Sequence, residues 1–259
     1  MIGAIAGDMI GAPYEAFPIK TTDFSIKVTV FTDDTVLTIA VANAILKGID
    51  YADSIKTFAQ NYPNLPYGDA FRHWMWEPIN TPYNSYGNGS AMRVSPVGFA
   101  FDTAEEVLFH ASQSAAVSHN HPEGIKGAQA TALSIFLARC GEDKAAIRSH
   151  IADRFSYDLR RTVEDIRPNY SFDVSCQGSV PESIIAFLDA DDYETTVKNA
   201  ISLGRDADTM ACIAGGIAQA YYKNIPADIV SHVRGNLPYD LLAVMDRFNK
   251  KYNCKIDRC

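Results

Sequence analysis

The sequence predicts an all-α fold, a compact bundle of many Ala-rich helices. Three observations lead there. Apolar residues recur at helical spacing through most of the 259 residues. The apolar segments are rich in Ala and lack the alternation of half-buried strands. Only residues 24–31 (FSIKVTVF) alternate, and a lone strand has no partner, so this stretch is expected to run extended into the motif that follows it.

The elements follow in order. Near the start, Gly3, Gly7 and Gly11 form a small stripe, one glycine per helical turn, that lets a neighbouring helix approach closely. Residues 35–47 (TVLTIAVANAILK) make a small-residue apolar helix stopped by Gly48, since glycine tolerates the left-handed conformation that ends a helix. Helices are then predicted over 104–118, 122–139, 143–155, 158–166, 181–188, 193–203, 209–222 and 238–252, most of them punctuated by Gly or Pro. Residues 77–89 and 168–178 are expected to be ordered loops, too short for interdomain linkers. With no low-complexity tract and no internal repeat, residues 1–259 are expected to form one domain.

Lys and Arg total 23 and Asp and Glu 31, a net charge of −8, and the sequence pI is about 5.2. This balance excludes a basic nucleic-acid grip. Thirteen Phe, thirteen Tyr and two Trp supply too much core for whole-chain disorder. Five cysteines (140, 176, 212, 254 and 259) include no C-x-x-C pair and are expected to be reduced, mostly as small buried hydrophobes. Asp8 breaks the apolar N-terminus too early for a signal peptide, and no window is long enough to cross a membrane. The expected setting is cytoplasmic.

Two places break the logic of a helical core. In Phe31-Thr32-Asp33-Asp34-Thr35, adjacent carboxylates flanked by hydroxyls open an apolar helix. In Gly204-Arg205-Asp206-Ala207-Asp208-Thr209, two more precede the apolar run MACIAGGIAQAYY. Helix capping accounts for one such residue per helix. It accounts less well for neighbouring like charges, which repel one another and lose hydration. A hard divalent cation, Mg²⁺ or Mn²⁺, resolves that cost, because it prefers carboxylate, hydroxyl and water oxygens. Four carboxylates and two hydroxyls (Thr32 and Thr209) are enough for two six-coordinate ions completed by water. The clusters lie 206 − 33 = 173 positions apart.

Three further segments carry polar groups that packing leaves open. Asp8 lies beside the glycine stripe, and Glu15 follows Pro13. Gly87-Asn88-Gly89-Ser90 before a helix can expose backbone N–H groups to an anion, although a capped turn gives the same pattern. Ser118-His119-Asn120-His121-Pro122 offers two imidazoles, or simply a turn between helices.

Taken together, GAIAGDMIGAPYE, FTDDT, YGNGSAMR, SHNHPEG and GRDADT with MACIAGGIAQAYY resemble the ADP-ribosylglycohydrolase family in order and spacing, over residues 1–227. The resemblance implies a helical domain with a two-metal cleft holding Mg²⁺ or Mn²⁺. It implies Thr32, Asp33 and Asp34 as one ligand cluster and Asp206, Asp208 and Thr209 as the other. Glu15 matches an acidic residue that gates substrate or takes part in catalysis. Asn88, Gly89, Ser90 and Met92 match a phosphate-binding loop, and His119 lies on a segment lining the ribose pocket. His121 carries no family role.

The implied reaction is hydrolysis of the glycosidic bond at the ribose C1″, with ADP-ribose or an ADP-ribosylated substrate as partner. Asp33, Asp34, Asp206 or Asp208 would take the water proton, and Glu15 would face the leaving side. The diphosphate would rest on the Asn88–Ser90 amides, and aromatic residues from 74–86 would stack on adenine. Gly204-Arg205 stands where many members have Gly-Gly, putting a cation beside the metals. Residues 62–86 match no acceptor-recognition loop, so the acceptor stays open. Two rival readings are a metal-dependent phosphohydrolase and a non-catalytic, structural homologue. The expected assembly is a monomer or small homo-oligomer.

Overall fold

The computed structural model describes residues 1–252 and 254, which hold fifteen helices and no sheet, only one isolated bridge between Gly87 and Ser175. In chain order they are α1 (Ile2–Ala16), α2 (Asp33–Lys47), α3 (Tyr51–Asn61), α4 (Asp69–Trp74), α5 (Gly89–Met92), α6 (Ser95–Ala100), α7 (Ala104–Ala116) and α8 (Pro122–Cys140). There follow α9 (Lys144–Phe155), α10 (Val163–Ile166), α11 (Cys176–Leu188), α12 (Tyr193–Ser202), α13 (Ala207–Tyr222), α14 (Ala227–Asn236) and α15 (Tyr239–Lys251).

The all-α expectation holds, with more helices than the periodicity reveals. α4, α5 and α6 span only four to six residues each, too few for a 3.6-residue repeat to register. Two predicted helices need correction. Of 158–166 only Val163–Ile166 is helical, because the Asp158 side chain turns to the backbone and guanidinium of Arg160, and Thr162 starts a new capping box with Asp165. Helix α11 begins at Cys176 rather than at Pro181, so the 168–178 loop is shorter than expected. Ser175 caps α11 by accepting from Gly178 N–H.

Helix α13 is the axis of the fold, buried from Ala207 to Ala220, with α8, α11 and α12 around it and α1 laid antiparallel along it. The glycine stripe of α1 makes that contact. A Cβ on Gly3 would lie 2.5 Å from Gly215 O, and one on Gly11 2.5 Å from Ala207 O; one on Gly7 would collide with Ala211 O. The pairs 3/215, 7/211 and 11/207 share one sum, 218, so the register is strict over two full turns. Gly3 N–H donates to Gln219 Oε1 (2.8 Å), and Tyr193 OH donates to Gly3 O (2.7 Å).

The alternating stretch before α2 forms neither helix nor strand and is fastened to α1: Thr29 N–H and Oγ1 both donate to Met9 O, at 2.9 and 2.7 Å. Cys176, Cys212 and Cys254 are buried free thiols and Cys140 is exposed, while Cys259 lies outside the described residues. Among the described residues no helix is long and apolar enough to cross a membrane.

Candidate functional site

The antiparallel register of α1 and α13 brings the acids together. With 11 opposite 207, Asp8 on α1 runs towards Asp208, and Glu15, in the last turn of α1, reaches the segment that opens α13. Asp206 precedes that helix in the left-handed region, at φ 64°, after Gly204 at φ 107°. That conformation costs an aspartate something, yet Asp tolerates it better than most residues. The turn swings the Asp206 carboxylate away from the capping position: it accepts from Asn88 Nδ2 at 2.6 Å.

Helix α2 supplies the other half. Thr32 caps it, accepting from Asp34 N–H at 3.2 Å, so the capping reading of this motif is correct as far as it goes. Beneath the cap, Asp8 accepts four hydrogen bonds: Thr32 N–H (3.0 Å), Thr32 Oγ1 (2.8 Å), Thr35 N–H (3.1 Å) and Thr35 Oγ1 (2.5 Å). Asp8, fully buried, therefore ties α1 to the first turn of α2 and aims the Asp33–Asp34 pair. Sequence reasoning left Asp8 without a task. The available signal was a carboxylate amid ten consecutive buried residues of one helix.

Two sets of carboxylates have oxygens within 4.8 Å of one another: Asp8, Asp34 and Asp208, and Glu15, Asp206 and Asp208. Asp208 belongs to both. Asp33 stands outside them, half-buried, with its side chain in the same cavity. Thr209 Oγ1 donates to Asp34 Oδ2 (3.3 Å) from across the cluster. The other Asp34 oxygen, Oδ1, is buried with no partner.

Crowding without counter-charge shows in the ionisation of these groups. Burial pushes Asp8 up to about 6 against the pull of its four hydrogen bonds. Burial, then the charges of Asp8, Glu15 and Asp206, pushes Asp33 up to about 7. Asp206 also rises to about 7 through burial, which the Asn88 hydrogen bond only partly offsets. Asp34 and Asp208 are held well above the carboxylate range by burial, and then by each other's cluster: Asp208 acts on Asp34, and Asp206 on Asp208. An orphaned buried carboxylate oxygen among like charges fits a hard divalent cation, as do the hydroxyls of Thr32 and Thr209 at the margin. Asp8 has little free coordination left and serves better as the support.

The acids form the floor of a cavity of about 330 Å³. Its wall includes Asn88, Gly89, Met92, Arg93 and His119, with Tyr83 and Phe71 as its aromatic residues. Of the sequence-predicted site residues, Thr32 and Ser90 do not face it. Ser90 is buried and donates its hydroxyl to Gly124 O (2.7 Å). Asn88 N–H is committed to Val174 O (2.8 Å), leaving the N–H groups of Gly89 and Ser90 as the loop amides with no acceptor among the described residues.

Within 74–86 only Tyr83 and Ser85 line the cavity; Trp74 is buried elsewhere and Tyr86 is exposed. Arg205 also departs from expectation: it is exposed and forms no part of the wall. His121 caps α8, its Nδ1 accepting from Glu123 N–H at 3.1 Å. Two charged wall residues are missing from the sequence reading: Asp69, at the start of α4, and the wholly buried Arg93.

The chain has counterparts among known proteins. A family model described as ADP-ribosylglycohydrolase matches residues 1–256. The chain is similar to ADP-ribosylhydrolase ARH3 of Bos taurus, 26% identical over 94% of this chain and 90% of the relative. It is also similar to ADP-ribosylarginine hydrolase Tri1 of Pseudomonas putida, 23% identical over 86% of this chain and 69% of the relative. Among solved structures, an ADP-ribosylglycohydrolase-related protein complex superposes with a TM-score of 0.75, at 23% identity, covering 97% of this chain and 95% of that one. At that identity the likeness concerns the fold.

Proposed function

This chain belongs to the ADP-ribosylglycohydrolase family, and from that premise we propose that it is a metal-dependent hydrolase that cleaves the bond between ADP-ribose C1″ and an acceptor. The observation that carries the proposal is the meeting of four aspartates from α2 and the start of α13, with Glu15 beside them, in one cavity, with Asp8 of α1 buried beneath them.

Asp34, Asp206 and Asp208 would hold two divalent cations, Mg²⁺ or Mn²⁺, with Thr32, Asp33, Thr209 and Glu15 adding oxygens as the coordination requires. Bound there, the ions supply Lewis-acid charge that offsets the carboxylates and polarises hydroxyl and water oxygens. Asp8 holds the Thr32–Thr35 turn in place. Asn88 Nδ2 orients Asp206, so this residue serves through the carboxylate it holds. Asp33 lies outside both close carboxylate sets and faces the cavity, which suits one of its oxygens to taking a proton from the attacking water. Glu15, exposed at the cavity edge, is suited to the leaving group. Anionic side chains around the ribose favour the positive charge that develops at C1″ as the bond breaks. The free amides of Gly89 and Ser90 suit the diphosphate, Met92 packs beside them, and His119 faces the sugar end of the cavity.

The test is a product assay on ADP-ribosylated arginine, serine and nucleic-acid substrates, with Mg²⁺ or Mn²⁺ added in turn and products read by mass spectrometry. Release of intact ADP-ribose supports the proposal. AMP as product points instead to phosphohydrolysis. Binding of ADP-ribose without turnover on any substrate points to a non-catalytic homologue.

A further inference from the structure

Arg93, in the turn after α5, is the one permanent cation among the described residues of the cavity wall, and it is wholly buried. No carboxylate pairs with it. Its Nη2 donates to Ser114 O (3.0 Å) and to Ser118 Oγ (2.9 Å), both near the end of α7. Ser118 Oγ lies 2.8 Å from His119 Nδ1. Ser118 is also fully buried, and His119 is 5% exposed.

The direction of each proton follows from the donor inventory. A guanidinium only donates, so Ser118 Oγ accepts from Arg93. If Nδ1 carried the imidazole proton, Oγ would accept twice, and its own proton would have to turn away from the ring to the Tyr83 hydroxyl beside it. With the serine proton on the Nδ1 side, Ser118 Oγ accepts once from Arg93 and donates once to His119, while Arg93 Nε and Nη1 stay without a partner among the described residues. Nδ1 then accepts, and the imidazole proton sits on Nε2. Burial, and then the Arg93 cation next door, keep the ring neutral, because a charge without water and beside a like charge is disfavoured.

Nε2 points at the phosphate-loop turn: a Cβ on Gly89 would lie 3.0 Å from it, and one on Gly87 3.7 Å. The ring edge of Tyr83 holds the imidazole from the other side, with centroids 5.8 Å apart.

We infer that Arg93 and Ser118 are positioning residues, a buried relay that fixes His119 as a neutral Nε2–H donor aimed at the ligand over the Gly87–Gly89 turn. A bare Nε2 lone pair there would repel phosphate or hydroxyl oxygen, whereas an N–H binds either. The relay thus couples a fixed buried cation to a directed hydrogen bond at the Gly87–Gly89 turn. This inference rests on the proposed ADP-ribose site for the ligand it serves, but the tautomer does not depend on it.

The experiment has two arms. The first is long-range ¹H–¹⁵N NMR on the ¹⁵N-histidine-labelled protein without ligand, at neutral pH. Wild type is expected to show the His119 pattern of unprotonated Nδ1 and protonated Nε2, and Ser118→Ala a shift towards Nδ1 protonation or a mixture. An imidazolium, or an Nδ1–H tautomer, in wild type overturns the relay. The second arm is calorimetric titration with ADP-ribose. Ser118→Ala is expected to bind about fivefold more weakly, the loss of one hydrogen bond, with its helical circular dichroism intact. His119→Ala is expected to weaken binding at least as much, and Ser118→Ala added to it to cost nothing more. If Ser118→Ala binds as tightly as wild type, the relay is overturned. If wild type itself binds no ADP-ribose while the tautomer is as expected, it is the proposed function that fails.

Discussion

Asp8 and Thr32 lie 24 residues apart and are joined by two hydrogen bonds, from the threonine N–H at 3.0 Å and its hydroxyl at 2.8 Å, to the two oxygens of one carboxylate. The same carboxylate takes two more from Thr35, so the first turn of α2 hangs on a residue of α1. Asp8→Ala strips two backbone amides and two hydroxyls of their acceptor in a buried site. The expected loss is roughly 3 kcal/mol or more in urea unfolding. A variant as stable as wild type would remove this role from Asp8.

The raised carboxyl groups make stability depend on pH in a definite direction. An acid whose folded-state pKa lies above its ordinary 3.8 binds its proton more tightly when folded. The stability it contributes is complete below about pH 4 and is lost as pH rises through the folded values, about 6 for Asp8 and about 7 for Asp33 and Asp206. Metal-free protein is therefore expected to melt at falling temperature between about pH 4 and 7. Millimolar Mg²⁺ or Mn²⁺ is expected to flatten that slope, since cations replace the protons. Melting curves with EDTA and with added metal at each pH measure it; a flat metal-free profile contradicts the charge-crowded cluster.

Asp34→Asn separates stability from function. The substitution keeps the shape and removes one charge from the cluster, so metal-free protein is expected to become more stable, by about 1 kcal/mol or more. Divalent affinity is expected to fall at least tenfold, and hydrolysis with it. Thermal melts in EDTA and calorimetric titration with Mn²⁺ read the two effects independently. Loss of stability in EDTA would show that the acids do not repel one another.

Gly7→Ala tests the helix contact on which the site depends. Its Cβ would meet the backbone carbonyl of Ala211, which has no side-chain freedom with which to yield. The expected cost is about 3 kcal/mol. Because α1 must move off α13 to make room, metal affinity is expected to fall too, although residue 7 touches no ion. Gly48→Ala, at φ 64° with open space around it, is the control: a smaller stability loss and unchanged metal binding.

The acidic pairs were legible because adjacent like charges at the mouth of an apolar helix contradict ordinary packing, and such a contradiction is visible in one dimension. The long helices were legible for the same reason as in any bundle. Their meeting was not. Asp33 and Asp206 are joined by the α1–α13 register, and although the glycine stripe shows that α1 touches something closely, it does not say what. Residues 158–166 misled because their spacing suits a helix while the Asp158 side chain captures the Arg160 backbone. Arg93 lies inside a motif quoted for its glycines, and nothing in its neighbours signals that a guanidinium is wholly buried. The spacing of the loop points to its backbone amides, but it does not show that the side chains of Asn88 and Ser90 are spent on Asp206, Ser179 and Gly124.

The helix that begins the fold and the helix that completes the acidic floor are separated by nearly the whole chain, for α1 starts at Ile2 and its partner at Ala207. During synthesis, the apolar face of α1 emerges well before α13 and must wait for it before it is covered. The long loop closed by that pairing makes it a slow, late event. The acidic cluster is therefore completed only once the growing polypeptide has passed α13. Truncated or stalled products, lacking the axis helix, carry Asp8, Asp33 and Asp34 without the acids that complete the set.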